Sequence, residues 1–407
     1  MYKIPELLAP AGDLTRLKAA ILFGADAVYL AGQNFGMRTA AAKFDNDGLA
    51  DAVKFAHQNS VKVHVTCNTI PHNNEMEILP EYLKFLNSIK VDAIIASDLG
   101  TIKKVKKYAP DVDLHVSVQS GIVNYDTANA FYDMGAKRVV LARELSLEEI
   151  SEIRNKTNKE LELEAFVHGA MCVSFSARCL LSSYMTGRDA NRGDCAQPCR
   201  WSYALVEEKR PGQYFPVKET KDGTYILNAN DLCMAPYLDK ICEAGIDSIK
   251  LEGRAKSHYY TAAVTNAYRL ALDSLKNAEL GNWKLPDYVE SELTKISHRT
   301  YSTGFYFGRP ENSQTYENAG YVRDYAVSAI VVGYEDRCIV CEVKNKFSVN
   351  CELDLLEPNK KPSIFKVEKM TDKDNNIIES APHPTMIVKI PYEREVALGS
   401  LLRMKSE

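Results

Sequence analysis

Short apolar runs alternate with amphipathic helical segments over the first 280 residues of the 407-residue chain. The runs are Glu6–Ala9, Ala27–Leu30, Lys62–Thr66, Ala93–Ala96, Leu114–Val118, Arg138–Leu141, Leu161–Val167 and Ser248–Leu251. Strands that are nearly all apolar and are separated by helices belong to a parallel sheet covered on both faces. Eight such units predict an α/β fold, and they favour a closed (β/α)8 barrel of the TIM type over an open doubly wound sheet.

One long insertion interrupts this alternation after the seventh strand. We assign residues 1–280 to the barrel and, within them, residues 169–233 to the insertion, which ends just before the next helix near Met234. Loops that follow barrel strands lie at the C-terminal face, where barrel enzymes carry their active sites. The insertion is therefore expected at the functional end of the barrel.

The pattern changes beyond the barrel. Residues 281–320 are predicted to be a linker. Residues 321–407 show short alternating strands separated by turn-like segments such as EPNKKPS and TDKDNN. This pattern predicts a small C-terminal all-β domain, a β-barrel.

Four of the ten cysteines fall within the insertion, with the spacing Cys172-x6-Cys179-x15-Cys195-x3-Cys199. Four thiolates suit either a [4Fe–4S] cluster or a structural zinc ion. Zinc sites usually contain a CxxC pair, which is absent from this run, and the CxxxCxxC of radical-SAM enzymes is absent as well. The spacing favours a fully ligated iron–sulfur cluster, and zinc or unliganded buried cysteines are the alternatives.

Polar side chains follow most of the predicted strands, as a barrel active site requires. We consider His168, Arg143, Glu252 and Arg254 as candidate catalytic residues. Candidate substrate-binding residues are Asn68, Gln119, Arg178 in the insertion and Arg38 in the second βα loop. A polar residue at any one of these positions is more often structural than catalytic, and it is their position along one rim that makes them candidates.

The composition excludes some partners and locations. The formal net charge is −4, so any contact with nucleic acid must come from a local patch rather than from the whole surface. No apolar stretch is long enough to span a bilayer, and the N-terminus MYKIPELLAPAGD lacks the apolar core of a secretory signal. We therefore expect a cytoplasmic protein without a membrane partner.

Three long segments carry a family resemblance: ELLAPAGDLTRLKAAILFGADAVYLAG, HGAMCVSFSARCLLSSYMTGRDANRGDCAQPCRW and SIKLEGRAKSHYY. The chain resembles the collagenase-like peptidase family U32, and within it the branch that hydroxylates tRNA. The resemblance implies oxygen-independent hydroxylation of the wobble uridine to 5-hydroxyuridine, with prephenate as the hydroxyl source and the tRNA anticodon loop as partner. It leaves room for a homologous second subunit.

The resemblance also implies a [4Fe–4S] cluster on Cys172, Cys179, Cys195 and Cys199. In some relatives the fourth ligand lies further downstream, which makes Cys233 a rival of Cys199.

The family name suggests a peptidase, which remains an alternative. The chain contains neither the HExxH of metalloproteases nor the GxSxG of serine hydrolases. A cysteine protease needs a thiolate beside an imidazole. His168 and Cys172 could meet this need only if that thiol were not a cluster ligand. A non-catalytic RNA-binding module is the third interpretation.

Overall fold

The computed structural model describes residues 2–37, 44–172, 174–201, 219–220, 223–224, 229–308 and 322–406. All eight predicted barrel strands are present: β1 (Glu6–Pro10), β2 (Ala27–Leu30), β3 (Lys62–Cys67), β4 (Ala93–Ala96), β5 (Asp113–Val116), β6 (Arg138–Val140), β7 (Glu162–Ala170) and β8 (Ser248–Leu251). Each pairs in parallel with its neighbour, and β8 pairs with both β7 and β1. The sheet is therefore closed, and the predicted (β/α)8 barrel is confirmed.

Helices alternate with these strands and cover the outside of the barrel. They are α1 (Leu14–Leu22), α2 (Asn46–Gln58), α3 (Asn73–Ser88), α4 (Leu99–Tyr108), α5 (Tyr125–Asp133), α6 (Leu147–Lys156), α7 (Leu181–Thr186), α8 (Leu238–Glu243), α9 (His258–Lys276) and α10 (Asp287–Thr294). Asp13 caps α1 by accepting a hydrogen bond from the Arg16 amide, and Ser146 forms a capping box with Glu149. None of the described helices has the length and apolar character that crossing a bilayer requires.

The barrel interior combines a small apolar cluster with a buried ionic network. Leu8, Ala27, Tyr29 and Ile95 form the apolar part. The Arg138 guanidinium donates to the carboxylates of Glu6 at 2.6 Å and Glu164 at 3.0 Å. The Lys250 ammonium donates to Glu164 at 2.8 Å. Buried charges persist only when they are paired, so this network links β1, β6, β7 and β8 at the point where the barrel closes.

The C-terminal all-β prediction is confirmed as an antiparallel β domain. Its main strands are β9 (Tyr325–Glu335), β10 (Cys338–Val343), β11 (Glu352–Leu356), β12 (Ser363–Lys366), β13 (Thr371–Asp372), β14 (Ile387–Pro391) and β15 (Leu401–Lys405). They form one sheet in the order β12-β11-β15-β9-β10-β14-β13. A second pair, Phe347–Ser348 with Ser380–Ala381, lies outside this sheet.

The two domains share buried contacts. Leu356 and Leu401 of the β domain belong to the same apolar core as the barrel helices. The buried Arg403 on β15 pairs with Glu292 on α10 and with Asp354 on β11. Within residues 281–320, the described part thus includes a helix that bridges the barrel and the β domain.

The insertion leaves and returns along β7, which is nine residues long. A strand over Asp231–Cys233 runs antiparallel to the end of β7, with Asp231 opposite Ala170 and Cys233 opposite His168. Gly169 adopts φ +106°, and a Cβ there would lie 2.4 Å from the Glu252 carbonyl oxygen. The start of the insertion therefore depends on a residue without a side chain.

We expect the barrel to lose stability as the pH falls below 6.5. Burial lowers the pKa of His64 to about 4 and that of His115 well below 6.5. Between pH 6.5 and about 4, His64 binds a proton in the unfolded chain but not in the folded chain, so the free energy of unfolding decreases with falling pH. For His64 the loss is on the order of 3 kcal/mol, at about 1.4 kcal/mol per pKa unit. Urea unfolding at a series of pH values from 7.5 to 2 measures the free energy of unfolding.

The matched variants are His64→Gln in the barrel and His383→Gln at an exposed position of the β domain. His64→Gln should make the free energy of unfolding less dependent on pH, and His383→Gln should leave this dependence as in the wild type. A second decrease is expected between pH 4.5 and about 2, because Arg138 outweighs the burial of Glu6 and lowers its pKa to about 2. Parallel pH profiles of the wild type and His64→Gln would contradict the assignment to His64.

Candidate functional site at the mouth of the barrel

The insertion folds over the C-terminal end of the barrel. The Ile70 amide, beyond β3, donates to the Asn191 carbonyl oxygen at 3.3 Å. The Glu144 carboxylate, beyond β6, accepts hydrogen bonds from the amide and the hydroxyl of Ser176, both at 2.8 Å. The Arg192–Glu75 ion pair at 2.8 Å attaches the insertion to α3. The cysteine-bearing segment therefore lies on the face where barrel enzymes position their chemistry.

Three of the four clustered cysteines are held around the short helix α7. Cys179 lies two residues before α7, and its backbone is held by the Asn191 side chain. The Asn191 side chain accepts a hydrogen bond from the Cys179 amide at 3.2 Å and donates one to the Cys179 carbonyl oxygen at 3.1 Å. The Ala196 amide, next to Cys195, donates to the Ser182 hydroxyl of α7 at 3.0 Å. The turn Pro198–Arg200, which contains Cys199, packs against α7. Cys172 lies at the start of the insertion, just beyond β7.

The sulfur atoms of this group accept hydrogen bonds that suit metal-bound thiolates. The Leu181 amide donates to Cys179 Sγ, and the Gln197 amide donates to Cys195 Sγ, both at 3.4 Å. Gln197 has φ +58°, a left-handed turn within the Cys195–Cys199 loop. Hydrogen bonds to sulfur are one of the means by which proteins tune iron–sulfur clusters.

The spacing of the sulfur atoms bears on which metal group they fit. A tetrahedral zinc ion with Zn–S bonds of about 2.3 Å brings its sulfurs to roughly 3.8 Å from one another. Among the described residues, three possible ligand atoms lie within 4.8 Å of one another in His64, His115 and Glu164. No three of the clustered cysteines, all of which are described, have their sulfur atoms this close together. The sulfur atoms of the clustered cysteines are therefore not arranged as in a closed zinc site.

The His64, His115 and Glu164 set lies in the barrel interior, away from the insertion. Its carboxylate is already paired with Lys250 and Arg138. These two cations would repel a divalent ion placed between the imidazoles. We interpret this set as part of the ionic core of the barrel.

Three of the predicted rim residues follow the ends of barrel strands, and each of them has its own partners. The buried Arg254 donates to the Thr66 hydroxyl at 3.0 Å, across the barrel on β3. The Arg143 guanidinium lies 3.8 Å from the centre of the Phe166 ring and donates to the Ala170 carbonyl at 2.9 Å. The Glu252 carboxylate is buried and accepts from the Tyr29 hydroxyl at 3.3 Å.

The four predicted substrate-binding residues have different surroundings. The Asn68 side chain accepts from the Met37 amide at 3.2 Å. Gln119 is buried, and its amide nitrogen has no hydrogen-bond partner among the residues that the structure describes, so it retains a donor for a ligand. Arg178 is exposed on the insertion beside Cys179. Arg38 lies outside the described residues.

The expectation that His168 lies on the rim is wrong. The β7–β8 register shifts between Lys250 and Leu251, which pair with Phe166 and His168, so one residue of β7 is skipped. The His168 ring is buried against Tyr260, Tyr268 and Tyr301, with centroids 5.4 to 6.1 Å away. Burial lowers its pKa to about 3, so the imidazole is neutral near pH 7 and enclosed.

A cleft of about 430 Å³ lies between the cysteine loop, the loop after β8 and the start of the β domain. Gln197, Glu252, Lys256, Ser257, Tyr260 and Arg323 are among its lining residues. Lys256 and Arg323 are functional candidates that the sequence analysis missed. Lys256 could have been found, because it follows Glu252 and Arg254 in the same loop, whereas Arg323 reaches the cleft from another domain.

Barrel, cysteine insertion and β domain together define a class of α/β-barrel proteins with a candidate metal centre at the mouth. The sequence model of Peptidase family U32 matches residues 12–316, and that of the Peptidase family U32 C-terminal domain matches residues 323–403. The chain belongs to the Peptidase U32 family.

Several relatives are similar over most of their length. The tRNA hydroxylation protein P1 of Bacillus subtilis is 35% identical over 98% of this chain and 95% of its own. The tRNA hydroxylation protein P of Escherichia coli is 33% identical over 100% of this chain and 97% of its own. An uncharacterized protease of Methanocaldococcus jannaschii is 43% identical over 84% of each chain.

We expect Gly169→Ala to destabilise the protein and to displace the start of the insertion. The new Cβ would collide with the Glu252 carbonyl oxygen, in addition to the cost of a positive φ. Gly281→Ala is the matched control, because Gly281 has φ +81° and nothing within 4 Å of an added Cβ. It should cost about 1 to 2 kcal/mol, the conformational term alone. Thermal unfolding compares the two, and equal losses would contradict the steric argument.

Proposed function

We propose that this protein hydroxylates the wobble uridine of tRNA to 5-hydroxyuridine, with prephenate as hydroxyl donor and a [4Fe–4S] cluster on the cysteine insertion. The observation that carries the proposal is the position of Cys172, Cys179, Cys195 and Cys199 over the mouth of a closed barrel. The near full-length similarity to two tRNA hydroxylation proteins supports the choice of reaction and of RNA.

The reaction replaces the C5–H bond of the uracil ring with a C5–OH bond, a two-electron oxidation of the base. In the proposed reaction the hydroxyl group passes from prephenate to C5. The C–O bond of prephenate breaks, and the carbon that loses the hydroxyl group takes up the hydrogen and the two electrons that leave the base. Prephenate is therefore the oxidant, and no molecular oxygen is needed. The cluster, held by the four cysteines, would supply one-electron redox chemistry at the barrel mouth.

The charges at the barrel mouth suit a dicarboxylate such as prephenate. Lys256 and Arg323 line the cleft beside the cysteine loop, and Arg254 lies at the mouth next to Thr66. Arginine binds carboxylates with two parallel hydrogen bonds, which fixes the orientation of the bound acid. We assign prephenate to this cleft, with Glu252 on its wall as the group placed to hold a proton during the transfer.

The target base must leave its stack to reach this cleft. Bases in a single-stranded loop are unstacked at lower cost than bases in a duplex, and the anticodon loop is of this kind. Gln119, with its buried donor nitrogen beyond β5, is suited to contact a carbonyl oxygen of an inserted base.

The alternative function, a cysteine peptidase, is less well supported by the site. His168 is enclosed by tyrosines, and the cysteine opposite it in the sheet is Cys233. Burial raises the pKa of Cys233 to about 11, so this thiol is not an activated nucleophile near pH 7. Cys172 Sγ lies 2.9 Å from the Ser174 hydroxyl rather than beside an imidazole.

We expect cells that lack this protein to lose 5-hydroxyuridine and its derivatives from tRNA. Wild-type protein should restore the nucleoside, whereas Cys179→Ala should not. Cys341→Ala is the control, because Cys341 is buried in the β domain, far from the insertion in sequence. Mass spectrometry of digested tRNA measures the nucleoside. A profile that is the same with and without the protein would refute the proposed reaction.

We expect Cys199→Ala to lower the iron and sulfide content of anaerobically reconstituted protein, and Cys233→Ala to preserve it. Cys199 lies in the turn against α7, whereas Cys233 lies on the strand beside His168, where burial disfavours its thiolate. Iron and acid-labile sulfide assays measure the content. Loss of iron in Cys233→Ala together with its retention in Cys199→Ala would assign the fourth ligand to Cys233.

A further inference from the structure

The cysteine insertion exposes an unusual amount of apolar surface. In the described part of the chain, five aromatic side chains count as exposed, and three of them lie on this insertion. Tyr184 is 83% exposed, Phe175 53% and Trp201 41%. Leu180 and Met185, at 56% and 47%, lie beside them in sequence. Exposed apolar groups that cluster in this way mark a surface with a partner.

These five side chains, which we call the insertion platform, lie between Cys172 and residue 201 in sequence, interspersed with the clustered cysteines. Tyr184 and Met185 belong to α7, and Leu180 directly precedes that helix. Trp201 follows the turn that packs against α7. Phe175 lies against Gly121 beyond β5, with 3.3 Å between its ring and the position of a Cβ. Phe175 therefore places one member of the platform at the barrel mouth.

The charges of the insertion favour a polyanionic partner. Residues 174–201 contain four arginines and two aspartates, whereas the chain as a whole carries a net charge of −4. Both aspartates are engaged within the insertion: Asp194 pairs with Arg188 at 2.7 Å, and Asp189 accepts from the Asn191 amide at 2.9 Å. Arg178 and Arg188 are exposed among the apolar side chains.

We propose that the insertion platform binds single-stranded RNA by stacking bases on Tyr184 and Trp201, while Arg178 and Arg188 contact the phosphates. Aromatic side chains interleaved with cations are the usual means of binding unpaired nucleotides. The core of a protein–protein interface is instead depleted of charged residues, which disfavours a second subunit as the occupant. This inference rests on the proposed function, and it assigns the RNA-binding surface to the cysteine insertion.

The test measures the affinity of reconstituted full-length protein for an anticodon stem-loop RNA with an unmodified wobble uridine, by fluorescence anisotropy. Loss of one stacked base costs about 1 to 3 kcal/mol, so Tyr184→Ala and Trp201→Ala should each weaken binding by roughly 5- to 150-fold. Tyr184→Phe keeps the ring and should bind as the wild type does. Phe307→Ala is the matched control, because Phe307 is 57% exposed, packs against Tyr237 and lies outside residues 169–233 in sequence.

Iron content and thermal unfolding are measured for each variant, so that loss of the insertion structure is separated from loss of stacking. Wild-type affinity in both Tyr184→Ala and Trp201→Ala would overturn the inference. So would a dimer that Tyr184→Ala dissociates without a change in RNA affinity, which would assign the platform to a protein partner. The tRNA nucleoside profile of cells with and without the protein is independent of this test. If the variants weaken RNA binding but that profile is the same with and without the protein, the proposed reaction is refuted and the RNA-binding surface remains.

Discussion

The ionic network inside the barrel is the constraint on which the rest of the architecture depends. Arg138 and Lys250 share the Glu164 carboxylate, and Arg138 also holds Glu6. These contacts join the strands that close the barrel. Removal of one partner would leave an uncompensated buried charge, which costs several kcal/mol. The network therefore fixes β7 and β8 relative to each other, and with them the loops that carry the insertion and the cleft.

The chemistry of the mouth follows from how β7 ends. The strand continues as far as Ala170, and the chain returns beside it at Asp231. The buried Asp231 is held by Arg299 at 2.7 Å, so the base of the insertion is anchored by an enclosed ion pair. The cysteine loop can thus be long and partly exposed while both of its ends are fixed at one strand.

Much of the fold could be predicted from the sequence because its signals are local. Apolar runs bounded by helix caps such as Asp13 and Ser146 specify strands and helices without reference to distant residues. The position of the cysteines at the barrel mouth was also predictable, since it follows from the order of the strands alone.

The surroundings of individual site residues depend on contacts that a single sequence does not encode. The alternation of side chains along β7 predicts that His168 points into the barrel. The register shift opposite Leu251 takes it out of the barrel instead. The cleft combines Lys256 with Arg323, which are brought together by the docking of the β domain. Long-range effects of this kind override local patterns, so the residue types at the mouth were predictable but their grouping was not.

The contact between the two domains has a consequence for synthesis of the protein on the ribosome. Glu292 lies in α10, and one of its two cationic partners, the buried Arg403, lies on β15, 111 residues further along the chain. Lys295 can pair with Glu292 as soon as α10 has formed, whereas the buried pair with Arg403 can form only after the strands of the β domain have been synthesised. Docking of the β domain therefore follows assembly of the barrel, and the wall of the cleft that Arg323 provides is added after the barrel strands are in place.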